Sequence, residues 1–250
     1  MNRLLALIVK APLIVLLTVL LGAASVLVSF FDRENRITDR IARLWARLLL
    51  AVGQVRVRVR GLEHIQKDKR FVFVGNHRSL IDTPVVLANI PVRFLFLVNA
   101  KYVRLPFLGT HLRRTGHFSV EPEDVRASTK AMTEAARAVT ERNVSILVFP
   151  EGSRARGPME EFKEGAAYIA IKAGIPVIPF ALKGTREVLP IGSIAVRGGP
   201  VELVFGEPIL IEGYRLKDRA RLTRLMFDRV SALLGEPASP AADQSRSRVA

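Results

Sequence analysis

From Ala11 to Phe31 no charged side chain interrupts a run of apolar, small and hydroxylated residues. At 1.5 Å rise per residue, a helix of that length just crosses a bilayer core of about 30 Å, so the run predicts a membrane anchor. Arg3 and Lys10 in front, with Gly22, Ala23, Ala24 and Ser25 inside, also fit a cleaved signal peptide. Against export stand Arg33, Arg36, Arg40, Arg43 and Arg47 directly downstream, because positive charge resists translocation. The remainder is therefore expected on the cytoplasmic face of the cell (inner) membrane. Pro12 and Gly22 offer breaks, which leaves a spanning helix and a half-inserted hairpin both open.

The apolar period then changes several times. Ile37, Ile41, Leu44, Trp45, Leu48, Leu49 and Val52 recur at helical spacing among arginines, as in a basic interfacial helix or a helix packed on the domain. Val55 to Arg60 alternates valine and arginine, the period of a strand with one solvated face. Further strands are predicted at Phe71 to Val74, Phe94 to Val98, His117 to Val120, Val144 to Phe149, Val177 to Leu182 and Val201 to Phe205. Several are continuous apolar runs, as in a sheet covered on both faces. Helical patterns occupy Ser79 to Ala88, Glu123 to Glu141, Glu164 to Ala173 and Lys217 to Leu234, with Gly174 stopping the third.

Such alternation predicts an α/β fold: a mixed, largely parallel sheet flanked by helices, behind an N-terminal membrane-anchoring helical segment. The expected organisation is anchor and basic interfacial helix over 1–52, one catalytic domain over 53–234, and a Pro-, Ala- and Ser-rich disordered tail over 235–250. A chain of 250 residues has room for that single core and no second catalytic domain. Lysine and arginine outnumber the acids 38 to 23, a formal charge of +15, which favours phosphate groups, an anionic membrane surface or nucleic acid. No zinc-finger spacing or aromatic RNA-binding signature accompanies the charge, which argues against nucleic acid. Without cysteine there is no thiol nucleophile, and His64, His77, His111 and His117 show no metal-ligand spacing, so no metal or bound cofactor is expected.

Chemistry concentrates where the strand Phe71 to Val74 runs into Gly75-Asn76-His77-Arg78-Ser79-Leu80-Ile81-Asp82. On one continuous helix His77 and Asp82 would be rotated about 140° apart, so a meeting requires His77 on the turn and Asp82 on the following helix. Asp82 then orients one ring nitrogen, and the other, with an unperturbed pKa near 6.5, is free to deprotonate a substrate hydroxyl. Phe149-Pro150-Glu151-Gly152-Ser153-Arg154 closes a second buried strand with a glycine turn and an arginine suited to phosphate oxygens. His111 and His117 lack a carboxylate at relay spacing and read as structural or exposed.

Over roughly Val55 to Glu212 the sequence resembles the glycerolipid acyltransferases, the family that includes 1-acylglycerol-3-phosphate acyltransferases. Its first block, Asn-His-x-Ser-x-x-Asp, is matched by Asn76, His77, Ser79 and Asp82. Its third is matched by Phe149 to Arg154, and its fourth by Ile175-Pro176-Val177-Ile178-Pro179. The resemblance implies His77 as catalytic base and Asp82 as its partner, with Asn76, Ser79, Gly116, Glu151, Gly152, Ser153 and Arg154 at the substrate. Glu151 would orient either Arg154 or the loop backbone. Lys101 resembles a family lysine linked to phosphate recognition. The second block keeps Gly116 and Glu121 but has Pro122 where the family has arginine. Either Arg113, Arg114 or Arg126 supplies that charge, or the acceptor headgroup is not a simple phosphate monoester.

The implied activity is acyl transfer from acyl-CoA or acyl carrier protein, as co-substrate, to the free hydroxyl of 1-acylglycerol-3-phosphate. The implied partners are that lysophospholipid acceptor, the acyl thioester donor and an anionic membrane surface. Another lysolipid acceptor, such as a lyso-ornithine lipid or lysophosphatidylglycerol, is the nearest alternative. A non-catalytic lipid-binding protein is a further one, against which stand both His77 and Asp82.

Overall fold

The computed structural model describes residues 6–105, 108–121 and 123–236. Pro122 and all of the expected tail beyond Glu236 lie outside the described residues. The strands are β1 (Val55–Arg60), β2 (Val72–Gly75), β3 (Phe94–Asn99), β4 (Phe118–Val120), β5 (Ser145–Val148), β6 (Val177–Lys183) and β7 (Gly199–Phe205). They form one seven-stranded sheet in the order β1-β7-β6-β2-β5-β3-β4, parallel throughout except between β6 and β7. The helices are α1 (Ala11–Val28), α2 (Arg36–Gly53), α3 (Asp82–Asn89), α4 (Ala100–Val103), α5 (Leu108–Thr115), α6 (Val125–Glu141), α7 (Gly165–Ala173), α8 (Thr185–Val188) and α9 (Arg219–Leu234).

Period-two alternation in β2 divides the core. Phe71 and Phe73 point into a cluster closed by Ala46 and Leu50 of α2 and by Val85 and Val86 of α3. Val72 and Val74 point into a cluster closed by α6, α7 and α9, where Ala135, Ala166, Ala167 and Ala170 let the helices approach closely. With both faces covered, β2, β5 and most of β6 are wholly buried, which explains their unbroken apolar runs. β1 is an edge strand; Arg56, Arg58 and Arg60 stand exposed along it, which discourages pairing with another chain.

Leu7–Val28 is a helix of 22 residues long and apolar enough to cross a membrane. Both its ends are nonetheless tied to the domain. Lys10 Nζ donates to the Gly53 carbonyl at 3.2 Å and to Gln54 Oε1 at 3.0 Å, just before the edge strand β1. At the other end Ser25 Oγ lies 2.9 Å from His111 Nδ1, and Arg114 reaches Ser29 Oγ at 2.6 Å, just before the opposite edge strand β4. From Lys10 to Ser29 the rise is roughly 28 Å at 1.5 Å per residue. Six strand spacings of about 4.8 Å give roughly the same width. The helix therefore straps the sheet from edge to edge, with Trp45 Nε1 of α2 bonded to Thr18 at its middle.

Candidate active site

β2 ends at Gly75, where a Cβ would lie 2.3 Å from the Phe180 ring, so only glycine lets the chain turn away there. Asn76 clamps the turn to β6, donating to the Leu182 carbonyl at 3.0 Å and accepting the Leu182 N–H at 2.8 Å. Ser79 Oγ donates to the Leu189 carbonyl at 2.7 Å and accepts the Ile81 N–H at 3.2 Å. Both side chains are fully buried. Expected at the substrate, they have their polar atoms engaged by backbone instead.

This frame brings His77 Nδ1 to 2.8 Å from Asp82 Oδ2. The same carboxylate oxygen accepts the N–H groups of Arg78 at 2.7 Å and Ser79 at 2.8 Å. Those bonds hold the turn open, so α3 starts at Asp82 rather than at Ser79 as the apolar pattern predicts. His77 is thus on the turn and Asp82 opens the helix, the only arrangement in which the pair meets. With Asp82 accepting, Nδ1 carries the ring proton and Nε2 keeps its lone pair. Asp82 is inaccessible to solvent while His77 is 19% exposed, so the ring alone can reach a substrate. Phe149 stacks beneath it, centroids 4.3 Å apart and planes 14° from parallel, which limits ring rotation.

Glu151 joins the two loops. Its Oε1 accepts the His77 N–H at 2.6 Å and its Oε2 the Glu160 N–H at 2.9 Å. Of the two roles open to it from sequence, it therefore holds backbone and not Arg154. Burial pushes its carboxyl up to about 7, although both backbone N–H groups and the nearby Arg78 and His77 charges pull it down. Ala155 N–H donates to the His77 carbonyl at 2.9 Å, so His77 is gripped at both backbone polar groups.

A cavity of about 1610 Å³ opens at His77. Lys101, Gly152, Ser153 and Arg154 also line it, whereas Asn76, Ser79, Asp82, Gly116 and Glu151 stand behind the wall. Arg154 makes no ion pair among the described residues. The Lys101 ammonium lies over the Tyr102 ring, 5.2 Å from its centroid. Gly116, expected at the substrate, takes φ +82° in the turn from α5 to β4, where a Cβ would meet Arg142 Nη1 at 2.6 Å; it shapes that turn and does not itself line the cavity. His117 lines the cavity but accepts the Phe96 N–H at 2.9 Å through Nδ1. Burial, helped by His111 and Arg93, holds His117 down to about 3, so it stays neutral and structural. Burial also lowers His111, which ties α5 to α1.

A sequence model of the acyltransferase family matches residues 56–183, just over half of the chain. This chain belongs to the acyltransferase family. A 1-acyl-sn-glycerol-3-phosphate acyltransferase of Haemophilus influenzae is 27% identical over 84% of this chain and 86% of its own length. One from Limnanthes douglasii is 29% identical over 65% of this chain, and the match spans only 57% of that protein. The crystal structure of the 1-acyl-sn-glycerophosphate acyltransferase from Thermotoga maritima superposes with a TM-score of 0.71 at 26% identity, covering 92% of this chain and 94% of that one.

Two of the three arginines offered as substitutes at the second block are occupied elsewhere. Arg113 donates to the Val103 carbonyl at 2.6 Å, and Arg114 is bound to Ser29 with its guanidinium 3.7 Å from the Phe30 ring centroid. Arg126 is exposed on α6, and none of the three lines the cavity. The chain also has a contact that sequence reasoning missed. Arg78, next to His77, pairs with Glu236, whose second oxygen accepts the Met159 N–H at 3.3 Å. No local pattern announces a bond across 158 residues, and Glu236 reads as the start of a tail.

Proposed function

We propose that this chain transfers a fatty acyl group from a thioester to the free hydroxyl of 1-acylglycerol-3-phosphate, giving phosphatidic acid. The observation that carries this reading is His77, oriented by the buried Asp82 behind it, in the wall of a cavity that also presents Arg154 and Lys101. His77 Nε2 takes the hydroxyl proton as the oxygen attacks the thioester carbonyl carbon. The C–O bond forms, the C–S bond breaks, and the proton passes from the imidazolium to the departing thiolate. Asp82 stabilises the imidazolium in between. Asn76, Ser79 and Glu151 act as positioning residues, because their polar atoms hold the backbone around His77. This proton relay requires no resident cofactor; acyl-CoA or acyl carrier protein enters as co-substrate.

The acceptor named for the Haemophilus influenzae and Thermotoga maritima relatives supports the lysophosphatidic reading. The apolar lining contributed by α1 and α2, with Ile14, Trp45 and Leu49, suits acyl chains. Because both ends of α1 rest on one domain, the helix lies in the bilayer surface on the cytoplasmic side rather than crossing it. Another lysolipid acceptor is the second reading, favoured by Pro122 and by the diversion of Arg113 and Arg114 from the cavity. Purified full-length protein in lipid vesicles, given palmitoyl-CoA with 1-acylglycerol-3-phosphate, lysophosphatidylglycerol or a lyso-ornithine lipid, decides between them. Transfer should be at least about tenfold faster to 1-acylglycerol-3-phosphate, or about 1.4 kcal/mol in transition-state selection. Preference for another acceptor selects the second reading.

A further inference from the structure

The cavity at His77 crosses the sheet. On one side its wall comes from α1, α2 and α3, which cover the face holding Phe71 and Phe73. On the other it comes from α6, α7 and the start of α9, over the face holding Val72 and Val74. His77, just beyond the end of β2, stands between them. The two sides differ in chemistry. Ile14, Trp45 and Leu49 are representative of the first, whereas Arg156, Lys163 and Arg219 project from the loop after β5 and from the start of α9 on the second. Arg219 is paired with Glu164, but Arg156 and Lys163 make no ion pair among the described residues. Gly152, at φ +75°, makes room for the lysine: a Cβ there would lie 3.0 Å from Lys163 Nζ. Two unpaired cations, Arg156 and Lys163, beside the paired Arg219 leave this side with net positive charge, which favours an anionic ligand.

We propose that this basic side receives the phosphate-bearing pantetheine arm of the acyl donor, leaving the lysolipid to enter from the α1 side. The proposal rests on the acyl-transfer reading above. A lysolipid arrives from the bilayer, and the apolar helix α1 packs over only one face of the sheet. A pantetheine thioester arrives from water, and the α6–α7–α9 side lies across the sheet from that helix. The donor carries its phosphate at one end of a flexible arm and its reactive carbonyl at the other. Cations on one side of the cavity and His77 between its two sides match that division.

The test uses full-length protein in vesicles, with palmitoyl-4′-phosphopantetheine, palmitoyl-CoA and palmitoyl carrier protein as donors and 1-acylglycerol-3-phosphate as acceptor. Combined Arg156→Ala, Lys163→Ala and Arg219→Ala should raise the apparent donor constant about tenfold for all three donors, since each exposed charge contact is worth a few-fold. The acceptor constant should stay within about twofold, and Arg156→Lys with Arg219→Lys in otherwise native protein should keep most of the donor affinity. The wild-type donor constant should also climb with salt while that of the triple variant stays nearly flat. Comparing wild-type kcat/KM for the CoA and carrier-protein thioesters identifies which source the enzyme uses. An unchanged donor constant, a rise confined to one donor, or a rise in the acceptor constant instead would overturn the proposal. Wild-type protein inactive with every donor would sink the acyl-transfer reading itself, a distinguishable failure.

Discussion

Three contacts place His77: Asp82 on the ring, Phe149 against its face and Glu151 on its backbone N–H. The first and the third carry predictions. His77→Ala should abolish transfer, by a general-base factor of about 10² to 10⁴, while folding and membrane recovery persist. Asp82→Asn should also lose most turnover, because an amide holds the ring without stabilising the imidazolium. The two losses should be far from additive, since Asp82 has nothing to orient once His77 is gone; a folded His77→Ala protein with about half of normal transfer would refute the mechanism. For Glu151, a carboxyl raised from 4.5 to about 7 binds more protons folded than unfolded between those values. Its contribution to stability is thus greatest below 4.5 and is lost as pH rises to 7, on the order of 3 kcal/mol. Thermal midpoints of wild type and Glu151→Gln, followed from pH 4.5 to 8, should diverge in slope across that window, and parallel curves would remove the assignment.

At the scale of elements, the active-site turn is held from three directions: β6 through Asn76, the loop after β5 through Glu151, and the end of α9 through Glu236. The last is the least expected. Gly235 ends α9 at φ +76°, and the reversal points Glu236 at Arg78 and at the Met159 N–H. Glu236→Ala should lower kcat about three- to tenfold with both substrate constants little changed, because the residue reaches the reaction only by positioning. Glu236→Gln, which keeps an acceptor for Met159, should fall between. If the substrate constants rise and kcat holds, Glu236 belongs to a binding role instead. Several elements were legible in the sequence: all seven strands, α1, α2, α6, α7 and α9 lie where apolar period and helix stops predict them. α4, α5 and α8 were not. α5 buries only Gly109, Leu112 and Thr115, too little for a stripe, and is held by His111 and Arg114 on α1.

For the whole molecule, the strap-like α1 makes a topological claim that a chain without cysteine makes easy to test. Asn2→Cys and Arg33→Cys flank the apolar run, and in sealed vesicles an impermeant maleimide should label both from the same side. Labelling from opposite sides would mean that the helix crosses. Sequence alone determined what depends on neighbours along the chain: the strand and helix periods, the uncharged length of α1, and the deduction that His77 and Asp82 meet only across a helix start. It also set the His77–Asp82 pair apart from His111 and His117, which have no carboxylate at relay spacing. Only the tertiary structure decided the rest. That Asn76 and Ser79 serve backbone, that Arg114 is bound to Ser29, and that Arg156, Lys163 and Arg219 line the same cavity as His77 are relations between distant segments. The physical reason is reach. Periodicity reports how a residue relates to those within a turn or a strand of it, whereas the partner of a polar side chain is set by which elements the folded core brings alongside.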